Sequence, residues 1–283
     1  MRLVSDKRCR TGEGPIWNPF DKKLYHVNAL GANEIHILDI ERGTCQVRTF
    51  PFHVAAMGFS KDGRMLISSE DGAFYLNQDG TREALYDLSK YEILYGNDAK
   101  VGPDGRFYIG TISKKRKRVG NERDGKLYCI DKHGVVKVLL DGLSLSNGLE
   151  WSMDKQYFYH TDSDTGIIKE YNFDGKNGEI KFTGRSIEIP GVDGFTIDEN
   201  NMLYVACWGQ ACLSVVDLKE LKIVDYIPVP TTNPASCGFA GADMKQLVVV
   251  TSVLGVPLEI DANAGFTYCH EMKASGRIPF LFG

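Results

Sequence analysis

The sequence has no long apolar segment. No run of about 18 apolar residues, the length that spans a bilayer, occurs in its 283 residues. The first seven residues, MRLVSDK, also lack the apolar stretch of about 7 to 15 residues that a signal peptide carries. We therefore expect a soluble chain that does not interact with membranes and is not exported.

Cysteines with metal-binding or redox spacing are absent as well. The seven cysteines are odd in number and widely scattered, and no two form a C-x-x-C pair. This excludes the usual zinc-ribbon and thioredoxin motifs. Such cysteines are typically small buried side chains in a reducing compartment, so a cytoplasmic location is expected.

Excess positive charge is missing too. The 33 basic residues stand against 37 acidic ones, a formal net charge of −4, so no nucleic-acid partner is expected. The G-x-S-x-G, H-E-x-x-H, Walker and dinucleotide-binding motifs are likewise absent. These absences remove the commonest serine-hydrolase, zinc-protease and nucleotide-dependent mechanisms.

Glycine and aromatic residues, by contrast, are plentiful. The chain has 30 glycines, against roughly 20 for typical usage of about 7 %, and it has 14 Phe and 13 Tyr. Many short strands joined by tight turns have this composition.

A repeat runs through the whole chain. Six times a short polar turn leads into an apolar, aromatic-rich run, at intervals of 41 to 50 residues: DKK before LYHVNA, DGR before MLISSE, DGR before FYIGTI, DKQ before YFYHTDS, NN before MLYVACWG and DMKQ before LVVVTS. This is the period of a four-stranded propeller blade. No helical periodicity of about ten residues or more accompanies it.

These six units predict an all-β fold, a six-bladed β-propeller with four-stranded antiparallel blades, as a single domain over residues 1–283. The sixth unit supplies three strands, at 236–240, 247–252 and 265–270, before the chain ends. We expect an N-terminal strand at about residues 3–9 to supply its outer strand and close the ring. Closure in this way removes an exposed strand edge.

The innermost strand of every blade lines the central channel, so equivalent positions in the repeats converge on one ring. Counting back from each turn selects six positions: Glu13, Ala55, Asn97, Asn147, Asp193 and Ser236. Four of them carry oxygen donors for a hard divalent cation. Ca²⁺ fits best, Mg²⁺ and Mn²⁺ are compatible, and carboxylates can also hold Zn²⁺.

Four ordered segments, GEGPIWN, GNDAKVGPDGRFYIGT, SNGLEWSMDKQYFYHTDS and VDGFTIDENNMLYVACWG, resemble the SMP-30/gluconolactonase/luciferin-regenerating-enzyme family, also called regucalcin-like proteins. The resemblance implies a metal-dependent sugar-lactone hydrolase. It implies that Glu13, Asn147 and Asp193 bind the metal, with Asp193 also the catalytic base. Asn97 corresponds to an asparagine that contacts substrate or metal.

Two substrate-contacting positions depart from the family pattern. Tyr95 stands where sugar-lactonase members often carry arginine, and Lys115, within the basic run 114–118, stands in place of a glutamate. The basic run is compatible with a solvated loop, with a lid that attracts an anionic sugar derivative, or with a nuclear-localisation signal.

The expected activity is the opening of a sugar lactone, such as gluconolactone or a pentonolactone, to the sugar acid, by a monomer or weak dimer. The alternatives are a promiscuous calcium-dependent lactonase or phosphotriesterase, favoured by an apolar pocket, and a calcium-binding regulatory propeller without chemistry. The strand histidines His26 and His160 and the three tryptophans are expected to pack in the core, although Trp208 is also placed to line the pocket mouth.

Overall fold

The computed structural model describes residues 1–87, 89, 94–113 and 123–283, and of Leu94, Tyr95 and Ser113 it describes the backbone alone. Six sheets, each with four consecutive antiparallel strands, form a ring in the described part of the chain. Their inner strands contact one another in succession around the axis, and the last of them returns to the first. The predicted six-bladed propeller is confirmed. Lys115 and the run 114–118 lie outside the described residues.

The strands are numbered in chain order, and each blade is given from its inner strand outwards. Blade 1 comprises β2 (Gly12–Asn18), β3 (Lys23–Asn28), β4 (Glu34–Asp39) and β5 (Thr44–Thr49), and blade 2 comprises β6 (Ala56–Ser60), β7 (Met65–Ser69), β8 (Gly72–Leu76) and β9 (Arg82–Asp87). Blade 3 comprises β10 (Leu94–Val101), β11 (Phe107–Ser113), β12 (Gly125–Ile130) and β13 (Val136–Leu143).

The second half of the ring follows the same order. Blade 4 comprises β14 (Ser146–Trp151), β15 (Tyr157–Asp162), β16 (Ile167–Asp174) and β17 (Glu179–Glu188), and blade 5 comprises β18 (Val192–Ile197), β19 (Met202–Cys207), β20 (Cys212–Asp217) and β21 (Lys222–Pro228). Blade 6 comprises β22 (Pro234–Ala240), β23 (Gln246–Thr251), β24 (Thr267–Glu271) and β1 (Arg2–Ser5). A short 3-10 helix, Ser163–Thr165, follows β15.

The N-terminal strand closes the ring as predicted. β1 pairs antiparallel with β24, with Arg2 opposite Cys269 and Ser5 opposite Thr267. The strand is shorter than expected, because it ends at Ser5. Beyond it the chain stays attached to blade 6, since the Cys9 N–H donates a hydrogen bond to the Gly265 carbonyl at 2.7 Å.

The other end of the chain adds a strand that the repeat does not predict. β25 (Leu281–Phe282) pairs parallel with β6 on the inner side of blade 2. Phe282 is buried against blades 2 and 3. Blade 2 therefore has five strands rather than four.

The hairpin turns repeat because an aspartate holds them in the same way. In every blade an aspartate at the turn accepts the backbone N–H two residues further on, from Lys23, Arg64, Arg106, Gln156, Asn200 and Lys245. Each of the six turns also has one residue with positive φ, at positions 22, 63, 105, 155, 201 and 244. Aspartate is favoured in these turns because its side chain accepts a hydrogen bond from the turn backbone. Glycine is favoured at the positive-φ position because it adopts that conformation without strain.

Aromatic side chains fill the space between blades. The Trp151 ring lies 4.9 Å from that of Tyr108 and 5.0 Å from that of Phe158, centroid to centroid, and all three are buried. Trp17 is buried as well. Packing between neighbouring blades fixes the inner strands, so their polar side chains face the axis. No helix in the part of the chain that is described is long and apolar enough to cross a membrane.

Candidate functional site

The axis of the propeller opens into a cavity of about 350 Å³, within the range of small-molecule sites. Four of the six positions selected by the repeat line it: Glu13, Asn97, Asn147 and Asp193. Ala55 and Ser236 do not. Ser236 instead borders a smaller cavity of about 70 Å³ that lies further along the inner strands.

Each of the four donors occupies an irregular point of its inner strand. The pairing register shifts between Glu13 and Ile16, between Gly96 and Ala99, between Asn147 and Leu149, and between Val192 and Phe195. Such a bulge bends the strand and re-aims the side chains beside it. The bulges recur at the same place in four blades, so they direct four polar side chains at the same cavity.

Glycine permits one of these bulges because it allows a very close approach between blades. Gly148, next to Asn147, has a φ of +32°, and a Cβ there would lie 2.2 Å from Phe195 Cε1 and 2.6 Å from the Asp193 carbonyl oxygen. A side chain at this position would therefore push apart blades 4 and 5, which carry two of the donors.

Asn147 joins the donors through hydrogen bonds. Its Nδ2 donates to Asp193 Oδ1 at 2.5 Å and to Ser163 Oγ at 3.2 Å. Asn97 Nδ2 donates to the Ser146 carbonyl at 2.9 Å, and its distance to Asn147 Oδ1 is 3.4 Å. Three blades are thereby linked at the cavity.

The carboxyl groups of the site repel one another. Burial, and after it the charges of Asp193 and Asp98, raise the pKa of Glu13 well above its usual range. Burial and then Asp98 do the same to the pKa of Asp193. No lysine or arginine lines the cavity in the described ranges. Two carboxylates and two amides, with no cationic side chain of the described ranges among the lining residues, match the donor set of a hard divalent cation.

The sequence also matches a known protein family. A sequence model of the SMP-30/gluconolactonase/LRE-like region matches residues 11–253. The chain belongs to this family.

Two relatives agree with the assignment to the SMP-30/gluconolactonase/LRE-like family, and a solved structure has the same fold. YvrE of Bacillus subtilis, named as a sugar lactone lactonase, is 32 % identical over 88 % of this chain and 86 % of its own. The pentonolactonase XacC of Haloferax volcanii is 28 % identical, covering 88 % and 84 %. A calcium-binding protein, regucalcin, from Agrobacterium tumefaciens has the same fold, with a TM-score of 0.90, 23 % identity and coverage of 100 % and 97 %.

The walls of the cavity in this family member are largely apolar. They are formed by the side chains of Leu30, Ile112, Leu145, Val192, Trp208 and Leu254. Trp208 is only partly buried, so it lines the cavity, whereas Trp17 and Trp151 pack in the core as expected. His53 also reaches the cavity. Its sequence context gives no sign of this, because it precedes the inner strand rather than occupying the repeated position.

The two substrate positions taken from the family resemblance are not described at side-chain level. Tyr95 lies in β10, two residues before Asn97, and its backbone pairs with Ile112. Its side chain and the whole of Lys115 lie outside the described residues.

Further along the channel from the four oxygen donors lies a cluster of ion pairs, formed by Lys100, Glu150 and Arg277. Lys100 Nζ lies 2.9 Å from Glu150 Oε2 and donates to the Phe195 carbonyl at 3.1 Å. Arg277 also pairs with Glu150. Burial alone would raise the pKa of Glu150, but Lys100 and Arg277 hold it below its usual range.

Proposed function

We propose that this chain is a divalent-cation-dependent hydrolase that opens a sugar lactone to the corresponding sugar acid. The observation that carries the proposal is the convergence of four oxygen donors from four blades on one cavity of about 350 Å³. Two relatives, YvrE and XacC, are named for lactone hydrolysis. A gluconolactone or a pentonolactone is the class of substrate we propose.

Glu13, Asn147 and Asp193 would hold the cation. Two carboxylates and an amide oxygen are hard ligands, for which Ca²⁺ is the best fit and Mg²⁺, Mn²⁺ and Zn²⁺ are compatible. When bound, the cation supplies Lewis acidity, which polarises the lactone carbonyl and stabilises the charge that develops on its oxygen.

The side chains of the cavity supply the remaining chemistry. Asp193 is proposed as the general base, accepting a proton from the attacking water. Its carboxylate is oriented by the amide of Asn147 at 2.5 Å. Asn97 would orient the lactone by hydrogen bonding, and Tyr95 and Lys115 are proposed to contact the substrate hydroxyls.

The apolar walls favour a second candidate. A cavity lined by Leu145, Val192 and Trp208 suits a substrate with an apolar substituent. A general lactonase or phosphotriesterase that uses the same cation is therefore the alternative enzyme. A calcium-binding regulatory propeller without turnover is the alternative from another class.

The test is acid release in a pH-stat by the full-length protein, with three kinds of substrate: aldonolactones, apolar lactones and a phosphotriester. We expect the protein to hydrolyse an aldonolactone. The hydrolysis should stop when a chelator is added and resume when Ca²⁺ is restored. Turnover of the apolar substrates alone would support the second candidate. Calcium binding without any turnover would support the third.

Two isosteric variants test the residue assignments. Asp193→Asn should lower kcat by about 10²- to 10⁴-fold, the usual contribution of a positioned base, and should weaken cation binding. Glu13→Gln should weaken cation binding as well. The exposed Glu83→Gln serves as the matched control and should change neither. Full activity of Asp193→Asn would refute its assignment.

A further inference from the structure

Away from the cavity, a second group of metal-ligating side chains lies where the ring closes. Cys9, His26 and His36 are all at least 99 % buried. One potential ligand atom of each lies within 4.8 Å of the others. The sequence does not predict this cluster, because Cys9 is far from a second cysteine and both histidines resemble ordinary strand residues.

The local fold explains why these side chains meet. His26 on β3 and His36 on β4 are directly opposite in the antiparallel register, and their ring centroids are 4.8 Å apart. Cys9 comes from the segment between β1 and β2, which the bond from its own N–H to the Gly265 carbonyl holds in place. Its Sγ lies 3.9 Å from His36 Nδ1.

A chain of hydrogen bonds orients the ring of His36 through Nε2, on the side away from Cys9. His36 Nε2 lies 3.1 Å from Glu34 Oε2, which also accepts a hydrogen bond from Asn28 Nδ2 at 2.8 Å. Asn28 Oδ1 in turn accepts the backbone N–H of Arg10 at 2.8 Å. When the Glu34 carboxylate accepts the N–H at His36 Nε2, the other ring nitrogen, Nδ1, has a free lone pair that faces the Cys9 thiol. Metal-binding histidines are usually held by a carboxylate in this way.

We propose that Cys9, His26 and His36 bind one Zn²⁺ ion, which ties the N-terminal segment to blade 1 at the closure of the ring. A thiolate and two imidazoles are ligands that zinc prefers, whereas the cavity offers mainly oxygen. Tetrahedral bonds of about 2.3 Å to sulfur and 2.0–2.1 Å to nitrogen place neighbouring ligand atoms roughly 3.3–3.6 Å apart. The 3.9 Å separation of Cys9 Sγ and His36 Nδ1 needs to close by a few tenths of an ångström. The widest separation in the group, 4.8 Å, needs to close by roughly 1.2–1.5 Å.

Binding requires one change in protonation. The Cys9 thiol loses its proton to solvent as the sulfur–zinc bond forms, and the two imidazoles bind in their neutral form. Three protein ligands leave the fourth tetrahedral position to a solvent molecule.

Cobalt titration separates this site from the cavity. Co²⁺ is added to the reduced, chelator-treated full-length protein, and the thiolate-to-cobalt charge-transfer absorption is recorded. We expect a band that saturates by two added equivalents, because the cavity also takes up a divalent cation, and that disappears when Zn²⁺ displaces the cobalt. The band should persist in Glu13→Gln, because the donors proposed for the cavity include no thiol. Wild-type protein without a band would overturn the proposal and leave a hydrogen-bonded core cluster only.

Variants and a direct measurement of the ligands complete the test. Cys9→Ser should lose the band, whereas Cys129→Ser, a matched buried cysteine in blade 3, should keep it. A band that survives Cys9→Ser overturns the assignment. If Cys9→Ser does not fold, X-ray absorption of zinc-loaded wild type decides: one sulfur and two imidazole ligands support the site, and an all-oxygen shell refutes it.

Discussion

Replacing Glu150 by glutamine should destabilise the protein by about 3–5 kcal/mol, the usual cost of breaking a buried ion pair. The Glu150 side chain is 6 % exposed, and it neutralises both Lys100, 30 % exposed, and Arg277, 13 % exposed. The variant keeps the size of the side chain but leaves two cations without a counter-charge. At roughly 2 °C per kcal/mol for a domain of this size, the melting midpoint should fall by about 6–10 °C.

The matched control is Glu179→Gln. Glu179 pairs with Lys137 at 3.3 Å, but the two side chains are 63 % and 44 % exposed, so losing this pair should cost less than about 1 kcal/mol. Thermal unfolding followed by circular dichroism compares the two variants with the parent. Equal midpoints for Glu150→Gln and Glu179→Gln would refute the reasoning.

The effect of Glu150 should also depend on pH. Lys100 and Arg277 lower the pKa of Glu150 in the folded state despite its burial. A carboxyl group with a lowered pKa stabilises the fold above its unfolded-state pKa, and the contribution is lost as pH falls through the folded-state pKa. The difference in midpoint between wild type and Glu150→Gln should therefore shrink in acid.

Three further changes have defined outcomes. Deleting residues 1–6 removes β1 and exposes the edge of β24, so thermal melts should show a lower midpoint and gel filtration some aggregation; an unchanged melt would count against closure. Gly148→Ala should cost about 1–3 kcal/mol because of its clash with Phe195, and calorimetry should show weaker cation binding. In chelator, Glu13→Gln should melt at a higher temperature than wild type, because it removes one of the crowded buried carboxyl groups; a lower midpoint would contradict this. With Ca²⁺ present, the variant should gain much less stability than wild type does.

The number of blades could be predicted because its cause is local. Each turn aspartate stabilises its own hairpin by accepting a nearby backbone N–H, as Asp62 does from Arg64 and Asp104 does from Arg106. The repeat is therefore visible within short segments of sequence. The closing strand follows from the three-strand sixth unit. The placement of Glu13 and Asn147 in the cavity also follows, because bulges recur at one offset in the blades that carry the donors.

Features that depend on contacts between distant segments could not be predicted. β25 is two residues long and pairs with β6, more than 200 positions earlier in the chain, and two residues carry no periodic signal. Glu150 resembles an exposed strand residue until Arg277 is placed beside it. The cluster of Cys9 with His26 and His36 likewise requires the path of the N-terminal segment.

The four donors of the cavity come from four different blades, and this has a kinetic consequence. An unfolded or open chain holds Glu13, Asn97, Asn147 and Asp193 far apart, so it offers a cation no preformed site. A cation at the axis then binds only after the blades have come together. We expect the site to form late in folding, because it needs four blades in place, so a bound cation should slow unfolding more than it changes the rate of folding. Under a protease that cleaves only opened chains, the lifetime of the protein would then rise with the concentration of the cation that we propose for the cavity.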